Sequence, residues 1–299
     1  MNMSFSAEIK NELTEIKTKD CCKAALIYGF ALFGRSFNSK RICLQTDNEK
    51  TAKFYARLIG NFYGVDVNIK TGGGKRLTYI AEVSSEFDRL KILASVDFGI
   101  YDGNIYKDYF YRDCCVSSFV RGAFLACGHL TDPDKGYRVD FYIKSESLAK
   151  EFVSLLSEHL IQSHISKCSN GYRIYIKRNE MIVNLLAFMG AGSLSLQFIE
   201  TSVIKSVKNK INRRGNCDTA NINKTVMASE KYRKAIKHIM KKQMFDTLPE
   251  ELKSAAQLRL AHPELSLKEL SALSPEAISP SGFNHRLKKI MEIYEGIKN

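Results

Sequence analysis

The strongest periodic pattern of apolar residues lies at the C-terminal end of the chain. Five apolar residues recur there at steps of three and four, the spacing of one helix face: Phe283, Leu287, Ile290, Met291 and Tyr294. Ser279 and Pro280 come directly before them and are typical of a helix N-cap followed by the first helical position. The pattern therefore predicts an amphipathic helix. Its opposite face is polar and basic and carries Ser281, Asn284, His285, Lys288 and Lys289, with Arg286 on the flank.

Two shorter helices are predicted before this one. Ser266 and Glu269 have the spacing of a capping box, in which each side chain satisfies an early N–H group of a helix. A helix that begins near Glu250 has acids in its first turn and ends before Pro263. Three helices in this order, the last with a basic outer face, outline a helix-turn-helix domain. Amphipathic helices that close a bundle would show the same spacing, so the pattern leaves both interpretations open.

A basic segment precedes these three helices. Residues 203–243 contain twelve lysines or arginines and two acids, a net charge of +10 in a chain whose total is +13. Apolar residues keep helical spacing on both sides of a polar break at residues 216–221. Concentrated positive charge repels itself unless a polyanion offsets it, and phosphate binding would make affinity fall steeply with salt. The segment is therefore interpreted as a basic, largely helical connector, with a solvated linker as the alternative.

The N-terminal part of the chain contains an internal repeat. An Asp-Cys-Cys triplet occurs at residues 20–22 and 113–115, and each triplet is followed seven residues later by a glycine, Gly29 or Gly122. Aspartate is a good helix N-cap. A glycine inside a helix costs about 1 kcal/mol against alanine and is tolerated best where a neighbouring backbone comes close. The two stretches predict a duplicated unit whose copies pack helix against helix.

The same order of predicted elements follows each repeated helix: strand, helix, hairpin, helix. The first copy has them at residues 42–46, 49–63, 65–70 with 77–83, and 85–95. The second copy has them at residues 137–143, 147–160, 165–168 with 172–176, and 180–189. The first hairpin turns through Gly72, Gly73 and Gly74, beside Lys75 and Arg76. This tip lacks the spacing of a phosphate-binding loop, so it is interpreted as a basic hairpin tip that could contact a DNA phosphate.

The composition excludes several classes of protein. Apolar residues make up 44% of the 299 residues, which is enough for packed cores in about two domains. Residues 1–19 lack the apolar core of a signal peptide, and the longest apolar run, residues 24–33, is about half of what a bilayer span needs. We therefore expect a cytoplasmic protein that has no membrane partner.

Neither the cysteines nor the histidines form a recognisable site along the sequence. The eight cysteines include two adjacent pairs but no Cys-x-x-Cys motif, whereas zinc ligands are usually about two to four residues apart. Buried reduced thiols are the preferred interpretation. The six histidines are scattered, and no Cys/His or Ser/His/Asp grouping stands out. The sequence therefore predicts no metal and no cofactor.

The glycine-bearing helices resemble those of the LAGLIDADG homing endonucleases, whose duplicated helices pack through glycines. Ahead of a helix-turn-helix, with the polar stretch 216–221 between them, they closely resemble the WhiA family of bacterial regulators from Ser4 to the end of the chain. The specific motifs are Leu-Arg-Leu at 258–260, Pro-Glu-Leu-Ser-Leu-Lys-Glu-Leu at 263–270 and Ile-Ser-Pro-Ser-Gly-Phe-Asn-His-Arg-Leu at 278–287.

This resemblance implies both a fold and a role. The fold is α+β, with a duplicated LAGLIDADG homing-endonuclease-like domain followed by an all-α helix-turn-helix domain. The role is transcriptional control tied to cell division, chromosome segregation and, in spore formers, sporulation.

The positions that hold the catalytic metal in the endonucleases carry no acid here. Matching on the two glycines places them at Gly34 and Cys127, and neither residue supplies the carboxylate oxygen that Mg²⁺ requires. Asp132 and Asp134 could substitute in the second copy, but the first copy has no counterpart. The scaffold is therefore predicted to be degenerate and without enzymatic activity, and an active Mg²⁺-dependent endonuclease is the alternative.

The sequence predicts a sequence-specific DNA-binding regulator associated with the nucleoid. A degenerate LAGLIDADG-like domain occupies residues 1–196, with repeats at about 20–96 and 113–190; a basic helical linker occupies 197–245, and the helix-turn-helix domain occupies 246–299. The partner is double-stranded DNA, and the N-terminal domain is a candidate docking surface for other regulators or RNA polymerase. A further alternative is a protein-interaction or nucleoid-structuring factor that binds DNA without sequence preference.

Two sets of residues are predicted to contact this DNA. Asparagine can read adenine through two hydrogen bonds, and the set expected to face base edges is Ser281, Asn284, His285 and Lys288. Phosphate contacts position a protein without specifying sequence. The set expected to make them is Ser266, Lys268, Arg286, Lys289, Lys205, Lys208, Arg213, Arg214, Lys231, Arg233 and Lys234.

Overall fold

The N-terminal part of the chain consists of two copies of one arrangement of helices and strands. The computed structural model describes residues 4–72, 77–96, 103–131 and 136–298. The basic hairpin tip at residues 73–76, and Asp132 and Asp134, lie outside the described residues. The chain divides into two compact units after Ser206. No helix in the described ranges combines the length and the apolar character needed to cross a membrane.

The first copy follows a short helix, α1 (Phe5–Glu15). It consists of α2 (Asp20–Phe33), β1 (Ser36–Phe37), β2 (Ile42–Thr46), α3 (Glu49–Tyr63), β3 (Asn68–Gly72), β4 (Thr78–Glu82) and α4 (Glu86–Ser95). Local chemistry sets the limits of α3: the Asn48 side chain accepts a hydrogen bond from the Thr51 N–H at 2.8 Å, and Gly64 ends the helix with φ of 64°. These limits agree with the predicted helix.

The second copy repeats this order. It consists of α5 (Asp113–Cys127), β5 (Gly128–Leu130), β6 (Val139–Ile143), α6 (Glu146–Glu158), β7 (His164–Cys168), β8 (Gly171–Ile176) and α7 (Asn179–Met189). Each copy forms a four-stranded antiparallel sheet, in the order β1-β2-β4-β3 and β5-β6-β8-β7. The identical strand order confirms the predicted duplication. Strands β1 and β5 were not predicted, because two and three residues are too few to show alternation.

Helices α2 and α5 cross at their glycines. A Cβ atom added to Gly29 would lie 2.3 Å from the carbonyl oxygen of Phe119, and one added to Gly122 would lie 2.3 Å from that of Leu26. Neither position has room for a side chain, so the two backbones touch directly. This contact confirms the reason proposed for a glycine inside each helix. Around it, apolar residues of both sheets and their helices form one continuous core.

The C-terminal part of the chain is helical. It consists of α8 (Gly192–Lys241), a short 3-10 turn (Phe245–Thr247), α9 (Glu250–Ala261), α10 (Leu267–Leu273) and α11 (Pro280–Lys298). Helix α8 continues through the polar stretch 216–221, where the sequence predicts a break. That stretch contains no proline, and two of its side chains one turn apart bond each other, because Asn221 Nδ2 donates to Cys217 Sγ at 3.7 Å. Residues 207–224 of α8 are exposed on every side.

Candidate nucleic-acid interface

The predicted apolar face of α11 is buried. Phe283, Leu287 and Ile290 are inaccessible to solvent and pack against residues of α9, α10 and the last turns of α8 in one small core. The predicted N-cap is present as well, because the Gly282 N–H donates to Ser279 Oγ at 3.2 Å. Burial of one side fixes the rotation of α11, so its polar side must face outward.

Four residues of this outer side are exposed: Ser281, His285, Lys288 and Lys289. Asn284 is half-buried at the edge of the core, where the Tyr232 hydroxyl donates to its Oδ1 at 3.4 Å. That bond leaves the amide nitrogen of Asn284 with two donors and its oxygen with a second lone pair, so the side chain is still able to bind two groups of a base. The structure thus brings the predicted base-contact set together on one helix face.

Arg286 lies in a different environment from these residues. Its side chain is only 14% exposed, and its guanidinium bonds the Glu276 carboxylate and lies 3.7 Å from that of Glu251. Both acids belong to the same unit, so Arg286 ties α11 to α9 and to the preceding turn. Its predicted role as a phosphate contact has no support from this geometry.

The helix before the turn has the predicted capping box. The Ser266 N–H donates to Glu269 Oε2 at 2.8 Å, and the Glu269 N–H donates to Ser266 Oγ at 3.3 Å. Hydrogen bonds from the Ser266 side chain and backbone hold the pKa of Glu269 below its usual value. The Ser266 hydroxyl is therefore engaged in capping, whereas Lys268, next to it, is exposed.

Arg259 holds the connection between α9 and α10, a role that the sequence did not reveal. The residue is 2% exposed, and its Nη1 donates to the Leu265 carbonyl at 2.8 Å. Burial lowers the pKa of Arg259. The buried guanidinium donates hydrogen bonds to carbonyl groups of the turn, which have no hydrogen-bond partner in a described helix or strand. Its position inside a Leu-Arg-Leu motif was the one available signal, because an arginine flanked by core leucines is unusual.

The basic residues of α8 differ in their surroundings. Five of those predicted to contact phosphates are exposed: Lys208, Arg213, Arg214, Lys231 and Lys234. Arg233 is half-buried and pairs with Glu230 at 2.7 Å, and the Lys205 ammonium lies 5.0 Å from the centre of the Tyr137 ring. No acid pairs with any of the five exposed residues within the described part of the chain. Their positive charges, distributed along α8, remain available to an anion.

A cavity of about 330 Å³ lies near the C-terminal ends of α2 and α5, where the sequence predicts the former cutting centre. Cys127 lines it, and burial raises the pKa of this thiol to about 12. Lys10 enters from α1, and burial lowers its pKa while the charge of Asp47 opposes that shift. Asp47 is the one carboxylate among the described residues that line the cavity. A buried ammonium beside one acid is a poor environment for a divalent cation.

Gly34, the other predicted former catalytic position, ends helix α2. Its N–H donates to the Phe30 carbonyl at 2.8 Å, and a Cβ atom added to it would lie 2.5 Å from that oxygen. The position therefore serves to terminate the helix and could not accept an aspartate without displacing the chain.

Comparison with known proteins gives two family models that match this chain. The model described as the WhiA C-terminal HTH domain matches residues 211–294, and the model described as the WhiA LAGLIDADG-like domain matches residues 116–208. Proteins named probable cell division protein WhiA from Oceanobacillus iheyensis and from Bacillus subtilis are each 34% identical to the chain. Each alignment covers 99% of this chain and 98% of the relative.

Two solved structures have the same fold. The crystal structure of full-length DUF199/WhiA from Thermatoga maritima matches with a TM-score of 0.58 at 24% identity and covers 98% of both chains. The crystal structure of the N-terminal LAGLIDADG domain of DUF199/WhiA matches with a TM-score of 0.51 at 21% identity, covering 64% of this chain and 94% of that one. A LAGLIDADG-like scaffold followed by a helical region is thus the architecture of this chain.

Proposed function

The chain belongs to the WhiA family, and from this premise we propose that it is a sequence-specific DNA-binding transcriptional regulator. In this proposal it acts on genes of cell division and chromosome segregation, and of sporulation in spore formers, while associated with the nucleoid. The observation that carries the proposal is the outer side of α11, where polar and basic side chains are exposed opposite the buried apolar residues Phe283, Leu287 and Ile290.

The N-terminal half of α11 would enter the major groove of DNA. Ser281, His285 and Lys288 would meet base edges or the groove wall, and Asn284 would pair with the N6 and N7 atoms of an adenine. The hydrogen bond from Tyr232 limits the rotation of the Asn284 amide before DNA binds, which reduces the entropy lost on binding. This arrangement supports direct reading of bases.

Phosphate contacts would come from exposed cations around this helix. Lys268 precedes this helix, Lys289 lies on it beside the proposed base-contact residues, and the exposed basic residues of α8 add further positive charge. Arg286 and Ser266 are left out of the proposed set, because their polar atoms are engaged within the domain. In this division of roles, residues 246–299 read sequence and residues 197–245 add affinity that depends on salt.

The N-terminal scaffold would act as a docking surface and not as a nuclease. Among the described residues that line the cavity near the predicted former cutting centre, Asp47 is the one carboxylate and the Lys10 ammonium lies beside it, which supports a loss of metal-dependent cutting. Other regulators or RNA polymerase are the partners that we propose for this surface.

Base reading is tested with the Asn284→Ala variant of the full chain. Genome-wide mapping of bound sites supplies a target duplex, and fluorescence anisotropy at fixed salt then compares it with a scrambled duplex. We expect Asn284→Ala to weaken binding to the target by about 1–3 kcal/mol, roughly 5- to 150-fold, and to leave binding to the scrambled duplex nearly unchanged. Equal losses on both duplexes would contradict base reading by Asn284.

Two further variants serve as controls for this experiment. Gln257→Ala removes an exposed amide from α9, outside the proposed contact face, and should change neither affinity. Tyr232→Phe keeps Asn284 but removes the hydrogen bond that orients it. We therefore expect its affinity for the target duplex to fall by less than that of Asn284→Ala.

A DNA-binding factor without sequence preference is the second candidate, and the exposed basic residues along α8 that pair with no acid in the described part of the chain favour it. Such a factor would show uniform coverage in the genome-wide map and equal affinity for the two duplexes. Discrete mapped sites with preferential binding to the target would exclude it.

A further inference from the structure

Four cysteines meet where helices α2 and α5 begin. The Sγ atoms of Cys21 and Cys22 are 3.7 Å apart, those of Cys21 and Cys114 are 4.0 Å apart, and all four Sγ atoms, including that of Cys115, lie within 4.8 Å of one another. Cys22 and Cys115 are buried, whereas Cys21 and Cys114 are half-buried and therefore partly accessible. Two adjacent pairs that lie 93 residues apart in sequence therefore form one cluster.

The cluster follows the internal symmetry of the scaffold. Cys22 Sγ donates to the Cys114 carbonyl at 3.3 Å, and Cys115 Sγ donates to the Cys21 carbonyl at 3.2 Å. Exchanging the two repeats converts one of these contacts into the other. The direct contact of Gly29 with Gly122, two helical turns away, holds the helix starts close enough for both pairs to converge. The spacing of the cluster is thus set by the core of the fold.

The separations fit one tetrahedral metal ion. A zinc–sulfur bond of about 2.3 Å places neighbouring sulfurs of a tetrahedral site about 3.8 Å apart. The shortest distances in the cluster already have this value, and the longest would have to contract by about 1 Å, which a rotation of half-buried side chains provides. The thiolates of a cubane iron–sulfur cluster must stand further apart, because four iron atoms lie between them.

The charge of such a site has a partner nearby. Four thiolates and one divalent ion carry a net charge of −2. Arg121 lies two turns along α5, is 3% exposed, and pairs with no carboxylate in the described ranges. Its Nη2 donates to Thr18 Oγ1 at 2.8 Å, but its Nε has no hydrogen-bond partner among the described residues. A buried cation without an acid is costly, and an anionic metal centre beside it would offset that cost.

We propose that Cys21, Cys22, Cys114 and Cys115 bind one zinc ion as a structural tetrathiolate site that joins the two repeats. Each thiol releases its proton to solvent when it binds, and the ion enters from the side where Cys21 and Cys114 are accessible. The site lies at the opposite end of α2 and α5 from the predicted former cutting centre, so it is separate from any nuclease chemistry.

The test begins with the metal content of the full chain, purified without chelators under reducing conditions. We expect inductively coupled plasma mass spectrometry to detect about one zinc ion per chain. The Cys21→Ser/Cys114→Ser variant changes the two accessible ligands and should lose this zinc. The Cys168→Ser/Cys217→Ser variant changes two thiols outside the cluster and should retain it.

Cobalt supplies a measurement that does not depend on a variant. Co²⁺ titrated into the metal-free wild-type chain should bind once and give the intense thiolate-to-metal and tetrahedral d–d absorption bands of a four-sulfur site. Bound zinc should also protect Cys21 and Cys114 from alkylation by iodoacetamide, as read by peptide mapping.

Several results would overturn the zinc site. The first is that the metal-free chain takes up no stoichiometric cobalt, and the second is that zinc persists in the Cys21→Ser/Cys114→Ser variant. The third is that the purified chain contains iron in place of zinc. The fourth is that protein alkylated at the moment of lysis contains a disulfide within the cluster.

Discussion

At the scale of single residues, glycine has two opposite roles in this chain. Gly29 and Gly122 occur where two helix backbones touch, and a methyl group at either position would overlap a carbonyl oxygen. Gly215 is inside helix α8 with open space around it, so it contributes only flexibility. The same residue type therefore stabilises the fold at one place and weakens a helix at another.

Alanine substitutions at Gly29 and Gly215 should change the stability of the protein in opposite directions. We expect Gly29→Ala to lower the free energy of unfolding of the N-terminal unit by about 1–3 kcal/mol or more, because the added Cβ would lie 2.3 Å from the Phe119 oxygen. We expect Gly215→Ala to stabilise its part of α8 by about 0.5–1 kcal/mol. Hydrogen–deuterium exchange by mass spectrometry should show faster exchange in α2 and α5 for the first variant and slower exchange around residue 215 for the second. Destabilisation by both, or by neither, would contradict this distinction.

Sequence reasoning at this scale succeeded where a residue acts through local geometry. The capping of α10 by Ser266 and Glu269 follows from a spacing of three residues and was predicted. The cysteine cluster was not, because two adjacent pairs converge only after the helix crossing places them together. The internal engagement of Arg286 was also missed, since its acid partners lie ten and thirty-five positions away in sequence.

At the scale of elements, helices and strands with a long periodic pattern of apolar residues were predictable, whereas the shortest strands and the uninterrupted course of α8 were not. Helix α3 and strand β2 match their predicted limits, because apolar spacing extends over their whole length. Strand β1, with two residues, depends on pairing with β2 and has no pattern of its own. Helix α8 continues through residues that favour turns, because no residue there forces the chain to leave the helix.

The exposed basic residues of α8 give a prediction for this element. Replacing Lys231 and Lys234 together by glutamine should weaken binding to any duplex and lower the slope of log affinity against log salt by up to about 2, since each phosphate contact contributes about 0.9. Anisotropy titrations over a range of salt concentrations measure this slope.

A matched pair of lysines controls for the change in net charge. Lys50→Gln/Lys53→Gln removes the same charge from the N-terminal unit, where both ammonium groups already pair with acids at 2.8 and 2.7 Å. If the two double variants lower the slope equally, the effect is one of total charge and α8 has no special role.

At the scale of the whole molecule, a LAGLIDADG-like scaffold and a helix-turn-helix domain occur in one chain whose net charge is +13. The resemblance of motifs made this combination predictable, and the duplicated sheets with the same strand order bear it out. The interior of the scaffold cavity was beyond sequence reasoning, because Lys10 and Asp47 reach it from different elements.

The same cavity predicts that the chain does not cut DNA. Supercoiled plasmid that carries a mapped site should stay intact with the full chain and Mg²⁺, as it does with EDTA, because the described lining of the cavity offers one carboxylate, Asp47, beside the Lys10 ammonium, a poor environment for the metal. Gel electrophoresis separates supercoiled from nicked plasmid, and an unrelated nuclease shows that the plasmid can be cleaved. Nicking that requires Mg²⁺ and copurifies with the chain would overturn this prediction.

The backbone contact between Gly29 and Gly122 has a consequence for genetic repair of the fold. In most cores, a mutation that enlarges one residue can be compensated by a second that makes its neighbour smaller. Here the neighbour is already the smallest residue, so no such suppressor exists at the facing position. Revertants of a substitution at either glycine should therefore restore the glycine itself or map to residues that let the two helices move apart.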